Sequence, residues 1–154
     1  MKKTIALALC ALLALTALAG CGQAAEAEVQ LDELAFQIRD SVESSEELYL
    51  LDEGIARQLY GVGEDAQCVA WAGAGATAEE LAVFELADAE AAGALLDALR
   101  ARNAEREESY AGYLPDEVPK LQNTLLLSNG RYVLLCTAPD TAGAREAWDA
   151  AFEG

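Results

Sequence analysis

Two strand-length apolar pairs, each closing on a turn, and helical periodicities before, between and after them predict an α+β fold. The order reads helix, helix, hairpin, helix, hairpin, helix. Hairpins make antiparallel pairs, so the expectation is a four-stranded antiparallel sheet of two hairpins packed with about four helices. The chain has 154 residues, enough for one such domain and not two.

The N-terminus precedes that pattern and reads differently. Lys2 and Lys3 form a short positive region, and Ile5 to Leu18 is an apolar run too short and too small-residued for a comfortable membrane span. Leu18-Ala19-Gly20-Cys21 follows, with the form of a lipobox. In that reading Leu18 fills the apolar pocket of a lipoprotein signal peptidase. Ala19 and Gly20 let the backbone lie close to the peptidase active site, and the Cys21 thiol accepts a diacylglyceryl group. An ordinary secretory signal with a chance cysteine and an uncleaved signal anchor are the alternatives. Residues 1–20 are then a lipoprotein signal peptide, 21–28 a lipidated N-terminus and flexible tether (Gly22 to Glu28 is small and polar), and 29–154 a single domain. Two acyl chains on one cysteine exceed the marginal single-chain case, so stable anchoring is expected.

Leu31, Leu34, Ala35, Ile38 and Val42 recur on one helical face, with Asp32 as the expected cap and Phe36 off the stripe. Ser44 to Glu47 breaks that helix, and a shorter one is expected over Glu53 to Leu59, stopped at Tyr60-Gly61. Gln67 to Ala72 and Glu80 to Ala87 read as strands around a loose turn, Gly73 to Thr77. That turn lacks the lysine and following helix of a phosphate loop. Asp88 caps a long helix with Ala92, Leu95, Leu96 and Leu99 inward, running to about Ser109. Its second half, Arg100 to Glu108, is almost wholly polar and is expected to project into solvent or meet another partner. Pro115 and Pro119 are expected to rule out helix through the next stretch. Asn123 to Ser128 and Arg131 to Thr137 form a hairpin about Asn129-Gly130. Pro139-Asp140 opens a last helix with Ala144, Trp148, Ala151 and Phe152 inward.

Composition excludes more chemistry than it suggests. The chain sets 27 acidic against 10 basic residues and contains no histidine. Loss of Lys2 and Lys3 with the signal would take the formal net charge from −17 to about −19. Such a surface repels nucleic acid and anionic headgroups, so no nucleic-acid role is expected. Without histidine, serine–histidine and cysteine–histidine catalysis and histidine-ligated zinc are excluded. No metal-binding pattern and no cofactor motif is present. Cys68 and Cys136 lie in apolar strand-like stretches, where two buried thiols are expected; an exported chain also permits a bridge between them, and the sequence leaves that open.

The order of several short motifs carries a resemblance. Ser109-Tyr110-Ala111-Gly112-Tyr113-Leu114-Pro115, continuing to Lys120-Leu121, stands together with Tyr60-Gly61-Val62, Ala82-Val83-Phe84 and Tyr132-Val133-Leu134. In that order they resemble small lipoproteins grouped as domain of unknown function 4358, found mainly in Gram-positive gut bacteria, over about Val29 to Phe152. The resemblance implies a cell-surface lipoprotein of a bacterium without an outer membrane and brings no catalytic residue with it.

Tyr110 and Tyr113, three apart at a helix end, could form an aromatic ledge for a ligand or partner, with Asp116, Glu117 and Lys120 beside it. The bland reading is that both tyrosines pack the helix end onto the sheet. The acid pairs Asp52/Glu53, Glu64/Asp65 and Asp116/Glu117 are read as solvated surface, since sequence neighbours give no evidence of the spacing across a cleft that glycosidase chemistry needs. The expected function is therefore a non-enzymatic binding or accessory module, held on the outer face of the cell membrane through Cys21, with an unknown protein or small-molecule partner. The alternative is a small carboxylate- and tyrosine-based hydrolase or metal-dependent enzyme.

Overall fold

The computed structural model describes residues 29–153. The signal peptide, Leu18, Ala19, Gly20, the Cys21 lipidation site and the tether through residue 28 lie outside the described residues. Within them the elements run α1 (Leu31–Asp40), β1 (Leu48–Leu50), α2 (Glu53–Tyr60), β2 (Gln67–Gly73), β3 (Glu80–Glu85), α3 (Ala89–Tyr113), a 3-10 turn (Pro115–Glu117), α4 (Val118–Gln122), β4 (Leu125–Asn129), β5 (Tyr132–Thr137) and α5 (Ala142–Phe152). The fold is α+β, with one antiparallel sheet in the order β1-β2-β3-β5-β4.

The two expected hairpins are present, and they join because β3 pairs with β5 along its whole length, from Glu80 opposite Thr137 to Glu85 opposite Tyr132. The sheet has five strands rather than four. The missed strand, β1, is a three-residue edge piece pairing Leu48–Leu50 with Trp71–Gly73, too short to show an alternating pattern.

Side-chain alternation divides the sheet between two cores. Trp71, Leu81, Val83, Leu134 and Cys136 face α1 and α5, where they meet Leu34, Ile38, Ala144 and Trp148. Cys68, Ala70, Ala82, Phe84, Val133 and Leu135 face α2 and α3, where they meet Ala56, Tyr60, Leu96 and Leu99. β3 and β5 are covered on both sides, which is why ELAVFE and YVLLCT read as near-continuous apolar runs. Cys68 and Cys136 are free, buried and on opposite faces of the sheet, so no bridge joins them. Burial pushes each thiol up to about 12, which leaves both protonated at neutral pH.

Several local expectations are corrected. α1 starts at Leu31, with Gln30 in the capping place and no side-chain cap; Asp32 lies inside the first turn, where a carboxylate still favours the helix dipole. Asp52 and Asp88 do cap, accepting from Gly54 and Ile55 and from Ala91 respectively. α3 runs four residues beyond Ser109, to Tyr113. Pro115 and Pro119 do not exclude helix: Pro115 opens the 3-10 turn and Pro119 is the second residue of α4. In a helix's first turn the missing N–H costs nothing, because it has no carbonyl to meet. The second hairpin turns one residue later than expected. Asn129 pairs with Tyr132, leaving Gly130 and Arg131 as the loop, and only Gly130 has a positive φ, 52°. Gly61 ends α2 at φ 69°, as the sequence indicates.

α1 and α5 pack so closely that one glycine is required. A Cβ at Gly143 would sit 2.1 Å from the Ser41 carbonyl oxygen, which is backbone and cannot yield as a side chain would. Gly143→Ala should therefore lower the unfolding free energy by about 1–3 kcal/mol in urea titrations. Gly93→Ala, in the second turn of α3 with nothing within 4 Å of the added carbon, should raise it by up to about 1 kcal/mol. Equal effects at the two sites would contradict the close helix approach.

Candidate functional site

The densest chemistry gathers at the head of β3. Glu79 and Glu80 are consecutive and only 1% and 3% exposed. As neighbours on extended chain they point to opposite faces of the sheet, so each needs its own cation. Glu80 turns toward α3 and takes a two-pronged bond from Arg102, Nη1 to Oε1 at 2.7 Å and Nη2 to Oε2 at 3.1 Å. Arg106, one helical turn on, also donates to Glu80 Oε1 and to the Ala78 carbonyl at 3.1 Å. The Tyr60 hydroxyl donates to Glu80 Oε2 at 3.1 Å, and the Arg102 guanidinium lies 4.9 Å over the Tyr60 ring. Burial, followed by the charge of Glu80, raises the Tyr60 hydroxyl well above its ordinary value, so it stays a donor.

Glu79 turns toward the loop before β1. It accepts from the Ser45 N–H at 3.0 Å, from the Ser45 hydroxyl, and from Lys120 Nζ at 2.7 Å. Lys120 also donates to both oxygens of Glu117, at 2.8 and 3.0 Å. Glu117 in turn accepts from the Thr77 hydroxyl at 2.9 Å and the Ala78 N–H at 2.8 Å. Partial burial pushes Glu117 up, but the bonds from Lys120, Ala78 and Thr77 outweigh it and hold the carboxyl below its ordinary value. Partial burial pulls Lys120 down, and the bonds to Glu117 and Glu79 outweigh that too, leaving the ammonium more basic than usual.

A second, uncharged chain of bonds continues inward. Asn103 donates to the Leu121 carbonyl at 2.9 Å and accepts from Thr124 at 3.2 Å, while the Thr124 and Thr137 hydroxyls meet at 2.8 Å. These bonds fasten α3, α4 and the ends of β4 and β5 together. The polar half of α3 is thus only partly turned to solvent: Arg100, Glu105 and Glu108 are exposed, while Arg102, Asn103 and Arg106 form an inner face.

The sequence-selected residues fall on both sides of this network. Lys120 lies inside it. Tyr110 is half-buried, its hydroxyl donating to the Thr77 carbonyl at 3.2 Å. Tyr113 is 58% exposed, with its ring 5.0 Å from that of Tyr110. Asp116 is exposed. Sequence reading missed Glu79, Glu80, Arg102 and Arg106; the signal was a pair of glutamates at a strand head followed by arginines four apart on a helix.

Lys120 Nζ stands 3.0 Å from Ser45 Oγ, which on distance alone resembles a serine–lysine dyad. Such a dyad needs a neutral amine to take the serine proton. Two carboxylates hold this lysine as an ammonium, so it cannot act as that base. Nor do the acid pairs assemble a centre. Asp52 caps α2, Glu53 pairs with Arg57, and Glu64 and Asp65 are exposed. Among the described residues no group of three or more His, Cys, Asp or Glu side chains could hold a metal ion. Among them, too, no helix is long and apolar enough to cross a membrane.

A two-core α+β domain with its interior charges matched three against three is the class that the fold and the site define. The family model described as Domain of unknown function (DUF4358) matches residues 40–138, and the chain belongs to that family. The match is narrower than the resemblance over 29–152: it contains all five strands and the whole charge network but leaves out most of α1 and all of α5. No curated protein and no solved structure matches the chain.

Removing one member of a buried ion cluster strands the others. Glu80→Ala should cost about 3–5 kcal/mol, while exposed Asp116→Ala should change stability by less than about 0.5 kcal/mol; chemical denaturation compares them. Glu117 gives a pH test. Its folded value lies below the ordinary 4.5, so its contribution is complete above 4.5 and is lost as pH falls through the folded value. Between about pH 5 and 3 the stability of the unmodified protein should fall more steeply than that of Glu117→Gln. Parallel acid limbs would remove Glu117 from the account.

Proposed function

We propose that this protein is a module lipid-anchored on the outer, extracytoplasmic face of the cell membrane, binding or assisting a partner rather than catalysing a reaction. The address rests on Leu18-Ala19-Gly20-Cys21, with Cys21 carrying the diacylglyceryl group. The non-catalytic reading rests on one observation: the ionisable side chains that converge in the interior are spent on each other. Glu79, Glu80 and Glu117 are matched by Arg102, Arg106 and Lys120, and an acid–base catalyst needs a group free to exchange its proton with substrate. Tyr113 beside Tyr110 supports a ligand or partner surface at the end of α3, with Asp116 on the same crossover.

The anchor is tested in a bacterial host with a lipoprotein pathway. Cys21→Ser should abolish incorporation of labelled fatty acid and leave an unprocessed precursor or a released protein, while the unmodified chain is labelled and membrane-bound. Normal-sized, membrane-retained protein from the variant would overturn the lipid anchor.

A further inference from the structure

At the far side of the sheet from β4, the edge is only partly closed. β1 covers β2 at Trp71–Gly73, and the last bond between them runs from the Leu51 N–H to the Ala70 carbonyl at 2.8 Å. The chain then turns away into α2. Backbone groups on a strand point alternately to its two neighbours. Since Ala70 points to the β1 side, Cys68 does too, and Gln67–Val69 has no strand on that side among the described residues.

A cleft of about 400 Å³ opens along this stretch, between α1 and the start of α2. Its apolar lining is Leu31, Phe36, Leu50, Leu51, Cys68 and Val69; its charged lining is Asp32 and Glu53, with no base. Two of the apolar side chains are large and conspicuously open, Phe36 at 49% and Leu50 at 56% exposed. Phe36 is not loose, because its ring stands edge-on to Trp71 at 5.2 Å. An exposed apolar wall beside an unpaired strand edge is an opening for another chain.

We propose that this cleft takes an extended segment of another polypeptide, alternating apolar and cationic side chains, laid along the unpaired edge of β2 from Gln67 to Val69. Within a stretch of about 10 Å the edge supplies the outward-pointing N–H and carbonyl of Cys68. Phe36, Leu50 and Val69 receive the apolar side chains, and Asp32 a cationic one, with the second carboxylate oxygen of Glu53 beside it while Oε1 holds Arg57, which is the strand-addition mode of peptide recognition. Charge selects against the other occupants. A second copy would bring Asp32 and Glu53 against the same carboxylates on a strongly acidic chain. The chain's own Gly22 to Glu28 (GQAAEAE) is acidic and has no large apolar side chain. This inference rests on the binding-module reading and names its site.

The test uses the full-length protein in detergent micelles and fluorescein-labelled octapeptides of alternating Lys and Val or alternating Glu and Val. The Lys–Val peptide should bind at least about tenfold tighter than the Glu–Val peptide. Leu50→Ser and Phe36→Ser, both at open surface positions, should each weaken it about tenfold, and Tyr113→Ser should not. Amide exchange at Cys68 should slow on binding. No binding, equal binding of the two peptides, or protection confined to other strands would overturn the proposal. So would slow exchange at Cys68 with a dimer by light scattering before peptide is added, which would assign the edge to a second copy. The underlying reading fails separately: a Cys21 that takes no lipid overturns the anchor alone, and a bound peptide recovered cleaved overturns the non-catalytic reading alone.

Discussion

Two consecutive carboxylates entering the interior at the head of β3 set the terms for everything on that end of the molecule. Glu79 and Glu80 are required by strand geometry to point to opposite faces, so no single cation can neutralise both. One cation must come from the helix on one side and another from the crossover on the other. Arg102 and Arg106 meet the first demand and Lys120 the second. The length of α3, the helical path through Pro115 to Gln122 and the seating of Ser45 before β1 all follow from delivering those groups. A buried charge left alone costs several kcal/mol, so the arrangement holds together as a unit or not at all.

The use of bases makes the same point from composition. After Lys2 and Lys3 only eight basic residues remain, against 27 acids, and three of the eight are committed to this one cluster. Elsewhere the acids are solvated, cap helices as Asp52 and Asp88 do, or pair locally. The acidic surface is compatible with a folded chain because the few carboxylates that are buried have first claim on the cations. An excess of acid spread evenly through the interior could not be matched from so small a supply.

What was legible in the sequence follows from which interactions are local. The two strand pairs, the Asp88 cap, the Gly61 stop and the inward faces of α1 and α5 depend on residues within a few positions of each other and match the sequence expectation, whereas the Asp32 cap and the exact turn of the second hairpin do not. β1 was missed because three residues carry no periodicity; it exists only because β2 offers an edge to Leu48–Leu50. The proline stretch was misread because proline forbids helix interiors but not first turns, and position within a helix is not visible before its start is known. Sequence left open whether the polar half of α3 faces solvent or meets another partner, because the group that its inner face meets, Glu80, lies 22 residues from Arg102 on another element. Of the network, the sequence reading brought forward Lys120, Glu117 and Tyr110 and passed over the glutamates that give them their roles. The edge cleft was not legible at all, since it is made of the place where β1 stops.

The extent of the family match has a physical consequence for how α1 and α5 are understood. Residues 40–138 contain the sheet and the helices of one face, but the other face presents Trp71, Leu81, Val83, Leu134 and Cys136. Without α1 and α5 that surface would be a continuous apolar patch on a five-stranded sheet, far larger than a soluble domain leaves bare. The two helices are therefore part of the same cooperative unit, pressed together at Ser41 and Gly143, although they fall largely outside the shared pattern. Covering the face is not their only requirement, because their close approach also demands a residue without a Cβ at Gly143. α1 carries one addition that covering the sheet does not demand. Phe36 turns off the buried stripe toward the open edge, where it meets Trp71 and walls the cleft, so the helix that closes one core also shapes the opening beside it.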